Sequence, residues 1–345
     1  MKIQMRARFK FSHAKVIAVV RIVAAVVSLN GGCTEFEDSS KVIDLRMLAI
    51  ASEPAEVVID IDLTAEDPID GIDQSDFVDV TYCALVADPS AARRLSYSYS
   101  VCRRNRSFRC DQPNDPGDTV FEFGTGSVND PEDGPAEVSI CATLSPDAGL
   151  QALLLEAFED NPASIINGID LQIQLRIDSL GPTRETIYGR RSGRYEGRFP
   201  IDRVANNNPR LDGINVIRAD GSVTQLPRGR CGDIEPLVVF PGEKIEVTPI
   251  EPEGLREDYV LVDLEQNRVP ITENISYDWF STAGDWRKNS TGGDKDFADN
   301  VPLVRNFWTA PEAPESGDGD IHVWVTQRDE RLGSAWFQSC VRVSP

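Results

Sequence analysis

Between Gly168 and Leu180 the chain alternates without a break. Ile169, Leu171, Ile173, Leu175 and Ile177 fall between Asp170, Gln172, Gln174, Arg176 and Asp178. A period of two puts all five aliphatic side chains on one face of a strand, whereas a helix would scatter them around its circumference. The segment is a strand with one face turned to a core. A single strand cannot bury that face alone, so the fold must supply partner strands and an opposing layer. Val57 to Leu63 and Phe77 to Val86 repeat the pattern. Thr186-Ile187-Tyr188 and Tyr195 to Ile201 read as partners of the 169–180 strand. Residues 42–50 are apolar on both alternating sets, the mark of a strand buried on both faces, and Pro54 ends or bends it. Residues 88–136 are rich in turn formers and show little regular pattern.

One helix is expected, at about 145–160. Ser145-Pro146-Asp147 reads as N-cap, N1 proline and early acid, Leu150, Leu153, Leu154, Ala157 and Phe158 recur at helical spacing, and Asn161-Pro162 stops it. Ala205-Asn206-Asn207-Asn208-Pro209 reads as a linker, polar, turn-prone and closed by proline. Beyond it, short strands recur at sandwich spacing, among them Lys244 to Ile250, Ile275 to Ser281, Ile321 to Arg328 and Ser334 to Val343. Trp279 lies mid-strand, where an immunoglobulin-like sandwich places its core tryptophan. The fold expected is mainly β, with two immunoglobulin-like β-sandwich domains at 42–205 and 206–345, the first carrying the helix.

Seven cysteines are present. Setting Cys33 aside leaves an even six, which in an exported chain reads as a disulfide framework with 15 connectivities open. The preferred set is Cys83–Cys141, joining two apolar strand-like segments, Cys102–Cys110, closing a short basic loop, and Cys231–Cys340, tying the start of the last domain to its end. A zinc site is not expected, because there is no C-x-x-C and His322 is the sole histidine after residue 32.

The leader sets the compartment. Lys2, Arg6, Arg8, Lys10 and Lys15 precede the apolar runs Val16–Val20 and Ile22–Val27, and Leu29-Asn30-Gly31-Gly32-Cys33 follows. A basic start, a short apolar stretch and small residues describe a secretory signal, here residues 1–32. The segment resembles a bacterial lipoprotein signal, which implies a lipid on Cys33 as the new N-terminus and a tether over 33–41. It departs from that family's pattern at Asn30, where an aliphatic residue is usual. Six of the 35 Lys/Arg and none of the 56 Asp/Glu lie in residues 1–32, so the remainder carries 29 basic against 56 acidic residues, a formal −27. Such a surface repels nucleic acid and anionic lipid. Lipid is therefore the expected membrane partner, through Cys33, and a protein or glycan ligand stays open. The expected location is the bacterial cell envelope, on the outer membrane, with a secreted or periplasmic protein as the alternative.

Candidate chemistry is sparse. Arg93, Arg94, Arg103, Arg104, Arg106 and Arg109 form the one basic island, with Tyr97, Tyr99 and Phe108 interleaved. Aromatics among arginines can stack on bases or sugars, which makes Tyr97, Tyr99, Arg103, Arg104, Arg106 and Arg109 a candidate ligand patch; the alternative is pairing with the protein's own acids. Asp67, Asp70 and Asp73, and again Asp294 and Asp296, are weak calcium candidates, lacking the D-x-[DN]-x-[DN]-G loop spacing. A solvated acidic turn is the simpler reading, so no cofactor is expected. His322 reads as structural, and no G-x-S-x-G elbow occurs. A non-catalytic structural or binding module is expected. The alternative is a glycan-directed surface hydrolase using a carboxylate pair in the loops of residues 88–136 or 284–306.

Taken together, Asp44-Leu45-Arg46-Met47-Leu48-Ala49-Ile50 with Glu53-Pro54, Asn206-Asn207-Asn208-Pro209, Trp279-Phe280-Ser281-Thr282-Ala283-Gly284, Trp308-Thr309-Ala310-Pro311 and Val323-Trp324-Val325 with Arg328-Asp329 carry a second resemblance. In this order they resemble uncharacterised myxobacterial-type lipoproteins with tandem immunoglobulin-like domains. The resemblance implies anchored, exported sandwich modules and brings no catalytic residues.

Overall fold

The alternating segment is a strand, and it sits at the middle of a sheet. In the computed structural model, which describes residues 38–60, 77–89, 92–103, 109–112, 120–129, 136–160, 168–180, 184–200, 202–262, 267–295, 300–313 and 319–344, β7 (Ile169–Leu180) pairs antiparallel with β4 (Arg94–Arg103) on one side and β8 (Thr186–Gly197) on the other. β5 (Val120–Val128) and the short β2 (Val57–Ile59) complete a five-stranded sheet in the order β2-β8-β7-β4-β5. Facing it is a three-stranded sheet of β1 (Arg46–Glu53), β3 (Val80–Asp88) and β6 (Ala136–Leu144), with β3 in the centre. Ile173, Leu175, Ile177, Tyr82, Ala84, Val86, Tyr99 and Val101 fill the space between the two sheets. β8 runs unbroken through two glycines, where it passes close to the facing sheet. Gly189 lies against Met47 and Gly193 against the Tyr82 hydroxyl, leaving no room for a Cβ at either.

The helix α1 (Ala148–Asp160) follows β6 and puts Leu150, Leu153 and Leu154 into this core. Its cap differs from the expectation. Asp147, not Ser145, accepts the Leu150 N–H through Oδ1 at 2.9 Å, the N-cap geometry that satisfies one of the first-turn donors. Phe158 lies outside the residues whose side chains are described.

The second set of sheets encloses a core rich in tryptophan. β9 (Gly213–Ile217), β10 (Val223–Gln225), β12 (Lys244–Ile250), β16 (Asp285–Trp286) and β18 (Asn306–Thr309) form one sheet in the order β10-β9-β12-β18-β16. β11 (Leu237–Val239), β15 (Ile275–Ser281), β17 (Ser290–Gly292), β19 (Asp320–Asp329) and β20 (Ser334–Val343) form the other, in the order β11-β20-β19-β15-β17. Trp279, Trp286 and Trp308 meet between them, with ring centroids 5.1 and 6.4 Å apart in sequence order. Tilted rings at these separations add to the burial of large apolar surfaces. A two-stranded ribbon, β13 (Asp258–Val262) with β14 (Arg268–Thr272), stands apart from both sheets.

Residues 39–345 cluster as one compact unit, because a third apolar cluster joins the two cores. Leu48 and Ala49 of β1 and Leu85 and Ala87 of β3 pack with Val42 and Trp324, flanked by Phe280 and Trp336. The three-stranded sheet is thus covered on both faces, which is why residues 42–50 are apolar on both alternating sets.

Two expectations need correction here. The tether does not extend to residue 41. Ser40 is buried, Lys41 bridges to Ser281, the Ser281 N–H donates to Ser40 O, and the Val42 N–H donates to Ser281 O. Nor is 205–209 a loose linker. Asn206 is 2% exposed; its side chain donates to Asp329 and to Arg331 O, while that of Asn208 donates to Ser52 O and accepts from the Ser334 N–H. Asparagines suit turns, but here their amides tie the two sets of sheets together.

Candidate functional site

Three disulfides staple the molecule. Cys83 and Cys141 face each other across β3 and β6, with Cα atoms 4.1 Å apart. Cys102 joins Cys110 at the end of β4, and Cys231 joins Cys340 over a separation of 109 residues. Cys110 lies against the polar face of β7. The Cys110 N–H donates to Gln174 Oε1 at 3.0 Å, and Gln172 and Gln174 are buried.

The described members of the expected ligand patch do not share one face. Tyr99 is fully buried in the first core, its hydroxyl donating to Ile140 O at 2.8 Å, and Tyr97 packs against the same core. β4 is an inner strand between β7 and β5, so its 95-97-99-101 face points inward. Arg109 instead lies with the Gln174 face, paired to Asp111 at 2.5 Å and stacked 3.9 Å over the Tyr188 ring. Arg103 ends β4, half-buried. Arg104 and Arg106 lie outside the described residues, as do Cys33 and the calcium candidates Asp67, Asp70, Asp73 and Asp296. Asp294 is described and accepts from the Asn274 amide at 3.4 Å. Among the described residues no three His, Cys, Asp or Glu side chains are grouped to hold a metal, and no helix is long and apolar enough to cross a membrane.

The polar side chains that converge lie where the two sets of sheets meet. Glu137 of β6, 4% exposed, accepts from Trp324 Nε1 at 2.8 Å and Gln338 Nε2 at 3.0 Å, and lies 2.6 Å from His322 Nδ1. His322 also stacks on Trp324. A buried carboxylate needs such donors to offset its lost hydration, and the imidazole is held as one of them.

A second group surrounds Arg331. Its guanidinium reaches Glu56 at 3.0 Å, Glu273 at 3.4 Å and Glu257 at 3.6 Å, and lies 4.9 Å over the Tyr259 ring. Arg203 joins through Glu56 and Glu196. Burial, with the Asp329 carboxylate beside it, pushes Glu273 up to about 7 despite Arg331. Burial also raises Asp329 and Glu196 above the usual carboxylate range. Acids outnumber bases here, and burial disfavours their charged forms.

Beside this group opens a cleft of about 310 Å³, lined by Ile50, Arg190, Arg191, Ser192, Arg328, Asp329 and 332–334. Arg191, on the inward face of β8, spans the junction. It donates to Ile50 O at 2.8 Å, to Ser52 Oγ at 2.9 Å and to Leu332 O. All three acceptors are neutral. Burial holds the Arg191 pKa below the ordinary arginine value, and the charge of Arg328 lowers it further, against Tyr82 and Asp329. Sequence reading missed this site because no motif marks it; the cleft residues come from β1, β8, β19 and the turn before β20.

Fold and site together define a mainly β, disulfide-bonded extracellular or periplasmic protein, since such bridges persist in oxidising compartments. No family model matches the chain, and no curated protein matches it. Among solved structures it is similar to a crystal structure of a Salmonella alpha-2-macroglobulin mutant, at 8% identity and a TM-score of 0.22, over 90% of this chain and 17% of that one. The chain therefore spans about a sixth of that protein's length, and a likeness of this size defines neither family nor activity.

Proposed function

We propose that this chain is a non-catalytic lipoprotein of the bacterial cell envelope, a structural or binding module built from two immunoglobulin-like sandwiches and held by lipid on Cys33. The observation that carries this reading is the disulfide frame, which puts a strongly acidic two-core body outside the cytoplasm. Support for the module reading comes from the junction. His322, Glu137 and Glu56 are spent in hydrogen bonds and ion pairs that join the two sets of sheets. Trp279, at the centre of a core between two five-stranded sheets, supports the immunoglobulin-like reading.

Intact mass of the purified mature protein tests the anchor. The expected result is an acylated N-terminal cysteine and recovery in the membrane fraction, with Cys33→Ser soluble and unacylated. A Cys33→Ser protein that stays membrane-bound at unchanged mass would overturn the anchor.

A further inference from the structure

Every other arginine at the junction with a buried guanidinium has a carboxylate. Arg331 has Glu56, Glu257 and Glu273, and Arg203 has Glu56 and Glu196. Arg191 differs. Its guanidinium contacts are two carbonyls and a hydroxyl, and among the described residues no carboxylate lies at ion-pair distance from it. Its Nε is buried with no hydrogen-bond partner, and Ser334 Oγ, another atom of the residues lining the cleft, is in the same condition. Arg328 brings a further guanidinium to the cleft, and among the described residues its ion pair is with Asp278 at 3.8 Å. The one acid in the lining, Asp329, has its oxygens occupied by the Asn206 amide and the Arg331 and Gly333 N–H groups. A chain with 56 acids has lined one cleft with three arginines, Arg190, Arg191 and Arg328, and committed the single carboxylate of that lining elsewhere. Like charges brought together at a partly buried site are unfavourable without an anion between them, and buried polar atoms without partners are rare enough to ask for a bound group.

We propose that the junction cleft binds the oxyanion group of a small molecule, a carboxylate or a phosphate, between Arg191 and Arg328. Guanidinium N–H groups donate charge-assisted hydrogen bonds to both groups, and about 310 Å³ suits a small organic acid or a single phosphate ester. Such a ligand would touch β1, β8, β19 and the turn before β20 at once, so binding would read out as stiffening of the junction. The proposal does not depend on the lipid: it stands or falls whatever happens at Cys33.

The test is isothermal titration and thermal melting of the mature chain with malonate, citrate or inorganic phosphate, at ionic strength held constant with sodium chloride. A saturable 1:1 isotherm with a matching rise in melting temperature is expected in at least one arm, and the responding arm identifies the group. Arg328→Gln, at a half-exposed side chain, should keep its melting temperature in chloride and weaken binding about ten-fold, the worth of one charge-assisted contact. Arg191→Lys, which keeps the charge and loses the fork, should weaken it by a similar factor. Arg210→Gln, at an exposed arginine paired with Asp212 outside the cleft, should bind as wild type. No saturable response in any arm, or equal weakening by Arg210→Gln, would mean an adventitious surface ion only and would overturn the proposal; wild-type binding by Arg328→Gln would also overturn it.

Discussion

Arg331 and Arg191 both cross from one set of sheets to the other, and they are held in opposite ways. Arg331, 9% exposed, is shared by three carboxylates and a tyrosine ring. Arg191, beside it at the same seam, makes its hydrogen bonds to neutral oxygens alone among the described residues. The first arrangement is closed: its charges answer one another inside the protein. The second is open, with a cationic group at the edge of a cleft and its neutralising charge left to solvent or ligand. One junction therefore contains a structural lock and a candidate receptor site, and the difference lies in where the carboxylates are, not in the arginines.

The largest effect should come from opening the lock. Arg331→Met strands Glu56, Glu257 and Glu273 without their common cation, and removal of one partner from a buried charge group costs about 3–5 kcal/mol. Urea unfolding should show that loss as a lower midpoint at unchanged slope.

The next effect depends on pH. Glu273 titrates near 7 in the folded protein against 4.5 for an ordinary glutamate. Between those values the folded state binds more protons than the unfolded one, so stability falls as pH rises from about 4.5 to about 7 and then levels off. Glu273→Gln should reduce this slope by the Glu273 share, leaving the variant more stable by about 1–3 kcal/mol at pH 8 and indistinguishable near pH 4. Denaturation midpoints across that range would check it; a wild-type profile that rises over the same window would contradict the assigned excess of buried acid.

Asn208→Ala removes hydrogen bonds from Ser52 O and the Ser334 N–H, and should cost about 1–2 kcal/mol by the same assay. Smallest is Arg191→Lys in chloride, at under about 1 kcal/mol, since the charge is kept and its acceptors are neutral. If Arg191→Lys cost as much as Arg331→Met, the contrast between an open and a closed arrangement would be lost.

How much of this could be read from the chain depends on how local each cause is. The 169–177 alternation named the strand, and Leu150, Leu153 and Leu154 named the helix face. Two strands were overlooked in 88–136, although Leu95, Tyr97, Tyr99 and Val101 alternate with Ser96, Ser98 and Ser100 as cleanly as any segment. Arginines flank the segment, and its small serines make the period less marked. Gln172 and Gln174 show the reverse problem. Their polarity marks a solvent face, but both are buried, and Cys110 and Asp111 supply Gln174 with bonds that water would have made.

What the sequence determined by itself is set by short-range physics. Side-chain period chooses strand or helix, proline and glycine choose where the chain turns, and an even set of cysteines allows a disulfide frame. The junction was decided only in three dimensions. Asn206 and Asn208 read as linker residues because amides favour turns, yet their partners lie more than 100 positions away, at Asp329, Ser52 and Ser334. Arg191 and Arg331 are alike as letters. Only the tertiary packing gives one of them three carboxylates and leaves the other facing a cleft, because the energy of a charge depends on what surrounds it and not on its place in the chain.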